Sequence, residues 1–181
     1  PLAGLDQLVF GAWDPIPDNA YEAACRAGVL DRHQHIEPIA DYLSAIKPMP
    51  AVFDNYYVKR LEGSNVKPGG SKRELAEAIR ADIRNFKAAN KCDRLVMVWA
   101  ASTEIFLEPQ EIHQTVGAFE AAMDANDEAI APSMLYAYAA IMEGLPFANG
   151  APNLTVDTPA LVSLALERGV PICGKDFKTG Q

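Results

Sequence analysis

Apolar positions along the chain follow two rhythms: short unbroken runs of strand length, and longer stretches in which they recur every three or four residues. The first run, Gln7-Leu-Val-Phe-Gly-Ala-Trp13, ends at Asp14 and predicts a buried strand that delivers a carboxylate at its C-terminal edge. Pro15 and Pro17 then break the chain, and Asp18 can cap a helix running to about Ala27, with Gly28 as its stop. A second helical stretch, about Ile36 to Ile46, ends where Lys47-Pro-Met-Pro50 forbids continuation. From Pro48 to Gly70 the pattern is that of loops, with Gly63 and a Lys67-Pro-Gly-Gly70 turn.

The clearest helix starts at Ser71, because Ser71-Lys-Arg-Glu74 is a capping box whose hydroxyl and carboxylate satisfy backbone donors reciprocally. Leu75, Ile79, Ile83 and Phe86 form its apolar face, and it ends near Asn90. Arg94 to Ala100 reads as a strand buried on both faces of a parallel sheet, followed by the small polar stretch Ala101-Ser-Thr-Glu104. Ile112, Val116, Phe119 and Met123 mark one side of the next helix; a turn over Asp124 to Asp127 separates it from another starting near Pro132. Gly144 to Gly150 predicts a strand, Ala151 to Thr155 an irregular loop, and Pro159 to Gly169 a helix capped by Asp157 or Thr158. Val170 to Cys173 is a last strand before the loop Gly174 to Gln181. Strands alternating with helices predict an α/β fold with a Rossmann-like, mostly parallel sheet flanked by helices.

Composition supports a folded chain: of 181 residues 49% are hydrophobic and 22% charged. The net charge of −8 opposes nucleic acid and anionic membrane surfaces as partners, so an anionic ligand would need a local cluster of lysines and backbone N–H groups. No signal-peptide pattern and no apolar run of bilayer length occurs, which predicts a soluble, cytoplasmic protein. Cys25, Cys92 and Cys173 are widely spaced and read as reduced, buried small hydrophobes.

Several clusters could carry chemistry. His33 and His35 lack a visible third ligand, so no metal site is expected. His113 reads as a solvated residue on the polar side of its helix. Ser102-Thr103-Glu104 at a strand's C-terminal end suits a cofactor phosphate or ribose, or equally an ordinary helix N-cap. Lys175 and Lys178 put two ammonium groups three residues apart beside Gly180, suited to phosphate or to an enolate oxygen, or to a plain surface charge pair. A G-x-G-x-x-G fingerprint occurs nowhere, so spacing alone does not establish a dinucleotide site.

Five segments, in order, resemble successive motifs of the inositol-3-phosphate synthase family: Leu8-Val-Phe-Gly-Ala-Trp-Asp14, Val98-Trp-Ala-Ala-Ser-Thr-Glu104, Ile130-Ala-Pro-Ser133, Glu143-Gly-Leu-Pro-Phe-Ala-Asn-Gly-Ala-Pro152 and Gly174-Lys-Asp-Phe-Lys-Thr-Gly-Gln181. The resemblance implies an NAD-dependent isomerase that converts D-glucose 6-phosphate to 1L-myo-inositol 1-phosphate by oxidation at C5, enolisation, aldol closure and reduction. It further implies a homotetramer, with Lys178, Lys175, Asn149 and Asn153 as catalytic residues and Asp14, Ala101, Ser102, Thr103, Ser133 and Asp176 beside the cofactor. Asn149-Gly-Ala-Pro-Asn-Leu-Thr155 departs from the more common N-G-S-P-Q-N-T of the family and looks like a bacterial branch; Lys175-Asp176 stands where other members have two acidic residues. On this resemblance, residues 1–130 belong to an NAD-binding Rossmann-like domain and residues 131–181 open an α+β catalytic and tetramerisation domain. The family's glycine-rich turn is expected before Pro1 and its further lysines after Gln181, so the isolated chain is expected to be inactive. A conventional NAD(P)-dependent oxidoreductase and a non-catalytic assembly subunit are the competing readings.

Overall fold

A computed structural model describes residues 3–177. The chain divides into two compact units, Pro1–Phe53 with Glu62–Lys67, and Asp54–Leu61 with Pro68–Gln181.

In the first unit, α1 (Ala20–Ala27) is capped by Asn19, whose side chain accepts from Glu22 N at 3.0 Å while the Glu22 carboxylate reaches back to Asn19 N. Asp18, the expected cap, instead pairs with Arg26 at 2.6 Å, and Gly28 ends the helix in the left-handed conformation. The expected helix over 36–46 is broken. A π turn (Arg32–Ile36) and a 3-10 turn (Glu37–Ile39) precede the short α2 (Ala40–Ala45), because Pro38 cannot donate to the helical ladder. The predicted strand over 7–13 does not form. Leu8, Val9 and Phe10 are exposed, and only an isolated parallel bridge joins Trp13 to Met49; an apolar run becomes a strand only where neighbours supply its hydrogen bonds.

The second unit holds the sheet. α3 (Lys72–Ala89) starts at the predicted Ser71 capping box and buries Ile79 and Ile83, with Leu75 and Phe86 half-buried. β1 (Met97–Trp99) is shorter than the apolar run around it and is covered on one face only: Met97 is buried while Val96 and Val98 are 67% and 51% exposed. A 3-10 turn (Glu111–His113) leads into α4 (Val116–Asp124), and α5 (Pro132–Met142) follows. Among the described residues α5 is the central helix, buried from Pro132 to Ile141, and it packs against α3 and α6 (Pro159–Arg168). β2 (Phe147–Asn149) lies between β1 and β3 (Ile172–Cys173), all parallel, with Met97 opposite Phe147, Trp99 opposite Asn149 and Ala148 opposite Cys173.

Two expectations are corrected here. His113 is buried, not solvated: Nδ1 accepts from Gln110 N at 2.9 Å and Nε2 lies 2.9 Å from Ala129 O, so the ring bridges two loops. The cysteines are free but not fully buried, Cys25 and Cys92 being half-buried and Cys173 exposed. No helix among the described residues is long and apolar enough to cross a membrane.

Candidate active site

Three parallel strands deliver their C-terminal ends to one edge of the sheet, the edge at which open α/β sheets bind ligands. The segments that leave this edge are Ala100–Glu104 after β1, Gly150–Thr155 after β2 and Gly174–Phe177 after β3. Ala101, Ser102 and Thr103 are exposed, whereas Glu104 turns inward and is 6% exposed.

Glu104 organises the interior side of this edge. Its Oε1 accepts from Ser133 N at 2.9 Å and its Oε2 from Ser133 Oγ at 2.5 Å, while its own N–H donates to Asn153 Oδ1 at 3.1 Å. Ser133 Oγ also lies 2.7 Å from Thr155 Oγ1; with the serine proton directed at the carboxylate, the threonine is the donor. Asn149 Nδ2 donates to Asn153 O at 3.5 Å, and Asn149 Oδ1 accepts from Ala151 N at 3.3 Å. Desolvation pushes the Glu104 carboxyl up to about 7; the Ser133 hydrogen bonds and the Lys72 ammonium pull it down without cancelling that rise. Lys72 donates to Asp127 O and Ile130 O at 2.6 Å each and sits 5.7 Å from the centre of the Tyr57 ring. Burial lowers its pKa. Tyr57, also buried, donates to Glu128 O, and its carbonyl accepts from Ile105 N at 2.9 Å.

Among the described residues three buried side-chain polar atoms have no hydrogen-bond partner: Trp99 Nε1, Asn153 Nδ2 and Thr158 Oγ1. Buried polar atoms are almost always satisfied, so these three stand out.

The loop after β3 lies against the same edge. Phe177 N donates to Gly150 O at 3.2 Å, and the Phe177 ring lies over Gly150, where a β-carbon would push it aside. Lys175 pairs with Asp157 and Asp176 is exposed. Lys178 lies outside the described residues.

The structure therefore brings Ser133, Asn149 and Asn153 together, with Ala101–Thr103 and Lys175–Asp176 on segments leaving the same edge. Asp14 belongs to the first unit, where its Oδ1 accepts from Ile16 N at 2.8 Å and it lines a cavity of ≈ 210 Å³ with Asp18 and Arg26. Sequence reasoning grouped Glu104 with Ser102 and Thr103 as a cofactor loop or helix N-cap and gave Thr155 no role, whereas the structure turns Glu104 inward onto Ser133. The available signal was the N-terminus of α5: Ala131 stands at its cap and offers no side-chain acceptor, so its first-turn donors need an acceptor from elsewhere in the chain.

Residues 1–179 match the family model described as myo-inositol-1-phosphate synthase. The chain is 53% identical over its whole length to inositol-3-phosphate synthase 1 of Bacteroides thetaiotaomicron, of which it covers 42%. It is 40% identical to the inositol-3-phosphate synthase of Trypanosoma brucei brucei, covering 35% of that protein. The crystal structure of inositol-3-phosphate synthase from Caenorhabditis elegans superposes with a TM-score of 0.92 at 31% identity, over 100% of this chain and 36% of that one. The chain thus spans well under half the length of these relatives.

Proposed function

Because the chain belongs to the myo-inositol-1-phosphate synthase family, we propose that the protein carrying it isomerises D-glucose 6-phosphate to 1L-myo-inositol 1-phosphate with NAD, and that the sheet edge around Asn149 and Asn153 binds the sugar phosphate. The observation that supports this most is Asn153 Nδ2. The side chain is buried, its oxygen is committed to Glu104 N, and its NH₂ has no partner, which suits an oxygen of the substrate.

The residues present fit the cofactor. Ala101, Ser102 and Thr103 would hold NAD with exposed backbone and hydroxyl groups at a parallel strand's end, and Trp99 Nε1 is a further unmatched donor beside them. When bound, NAD supplies a reversible hydride acceptor, so oxidation and reduction cancel over one turnover. Asp14 and Asp176 are assigned to the cofactor in this reading. Ser133 acts from behind, its hydroxyl being engaged by Glu104 and Thr155.

Closing the ring places negative charge on a sugar oxygen, and fixed cations stabilise such charge best where water is excluded. Lys175 and Lys178 on the last loop fill that role. Lys175 is held by Asp157, so its ammonium is placed before substrate arrives. Residues 131–181 open the catalytic and assembly domain, and the complete protein acts in the cytoplasm as a homotetramer.

The test is an assay of the full-length protein with D-glucose 6-phosphate and NAD, following inositol phosphate and reduced dinucleotide in parallel. The expected result is product with no net accumulation of reduced dinucleotide. Stoichiometric accumulation would identify a conventional dehydrogenase instead.

A further inference from the structure

Among the described residues Glu104 is the only acidic side chain in the buried core. A carboxylate removed from water must be compensated by donors, and here both come from one residue, Ser133. Ser133 is the second residue of α5, so the carboxylate does for that helix what a serine or aspartate at the cap position would ordinarily do. The backbone of the same glutamate binds the amide oxygen of Asn153. An asparagine whose oxygen is fixed cannot flip without losing that bond, so its NH₂ is held in one direction. Thr155 extends the clamp to the loop that carries Asn153, through its hydroxyl bond to Ser133.

We propose that Glu104 is a positioning residue for the sugar-phosphate reaction: with its carboxylate on Ser133 and its N–H on Asn153, it fixes the direction in which the Asn153 NH₂ is presented to substrate. This rests on the assignment of Asn153 to the substrate site. In this role the effect of Glu104 passes through Asn153. Glu104→Gln keeps the shape but puts an NH₂ where Ser133 Oγ now donates, so the hydroxyl chain must reverse or break.

The test is a double-mutant cycle in the full-length protein with Glu104→Gln, Asn153→Ala and the pair. Misplacing a substrate-binding group by a fraction of an ångström is expected to lower kcat about tenfold for Glu104→Gln, and losing the group about a hundredfold for Asn153→Ala. The double variant should be no worse than Asn153→Ala alone, with NAD affinity by calorimetry unchanged throughout. Losses that multiply to about a thousandfold, or a wild-type kcat for Glu104→Gln, would overturn the proposal. If Glu104→Gln does not fold, the cycle with Ser133→Ala, which removes one donor to the carboxylate, decides by the same kcat criterion. The clamp is also read without turnover, from the side-chain amide NMR signals of Asn153. They should shift and broaden in Glu104→Gln, and unchanged signals would overturn the clamp even if the protein acts on another substrate. No turnover of glucose 6-phosphate by the unsubstituted protein, with shifted amide signals, would instead reject the substrate assignment and retain the clamp.

Discussion

Phe119→Ala is expected to lower the free energy of unfolding by about 3–5 kcal/mol, the largest loss foreseen for one substitution in the second unit. Phe119 is 1% exposed on α4 and stacks on Tyr138 of α5, with ring centres 6.0 Å apart and planes inclined by 29°. Truncation removes a fully buried ring and an aromatic pair worth roughly 0.5–1.5 kcal/mol beyond its area. The site cannot easily collapse into the space left. Tyr138 is held in place by its hydroxyl, which donates to Glu120 Oε1 at 2.6 Å and accepts from Arg73 Nη1 at 3.1 Å, and Arg73 is itself fixed by Asp124 at 2.8 Å. Urea unfolding should show a lower midpoint at unchanged slope. A loss below about 1 kcal/mol would mean that the ring is not the joint between the helices.

The second large effect is a pH dependence. Glu104 has a carboxyl pKa of about 7 in the folded protein against 4.5 for an ordinary glutamate, chiefly because it is desolvated. Between these values the folded chain holds a proton that the unfolded chain has released. The folded state therefore binds more protons, and stability must fall as pH rises from about 4.5 to about 7. Each pH unit separating the folded and unfolded titrations is worth about 1.4 kcal/mol, so the fall is on the order of 3 kcal/mol. Glu104→Gln, which has no proton to lose, should show a flatter stability profile across this window. Lys72 and Tyr57 face the same region in both proteins, so the difference between the two profiles isolates Glu104. Urea midpoints at several pH values between about 5 and 8 decide the matter, and parallel profiles would contradict it.

The sequence was most legible where local signals suffice. The capping box at Ser71, Pro132 and Pro159 as first helical residues, and the left-handed glycine stops at Gly28 and Gly169 all appear where their chemistry requires. It was least legible where the outcome depends on partners. Leu8 to Trp13 reads as a strand, yet among the described residues only Met49 bridges to it. Val96 and Val98 look like positions buried on both faces, but one face of β1 is open. His113 sits where helical periodicity suggests solvent; a 3-10 turn in place of a continuous helix rotates it into the core.

The candidate site divides in the same way. Asn149 and Ser133 lie in segments that resemble family motifs and Asn153 in the loop that departs from the common family pattern, and the structure gathers all three at the sheet edge. Glu104 ends one of those segments, where with Ser102 and Thr103 it reads as part of a cofactor loop or a helix N-cap. Its burial follows from the N-terminus of α5, far along the chain, which has no acceptor of its own. Local pattern carries no record of such a long-range need.

The decisive measurement follows a single hydrogen. D-glucose 6-phosphate carrying deuterium at C5 is incubated with the full-length protein and NAD, and the inositol phosphate is examined by mass spectrometry. If one bound dinucleotide takes the hydrogen and returns it within a closed site, the product keeps the deuterium. Loss of the label to water or to free dinucleotide would show that the site at this sheet edge runs a different reaction.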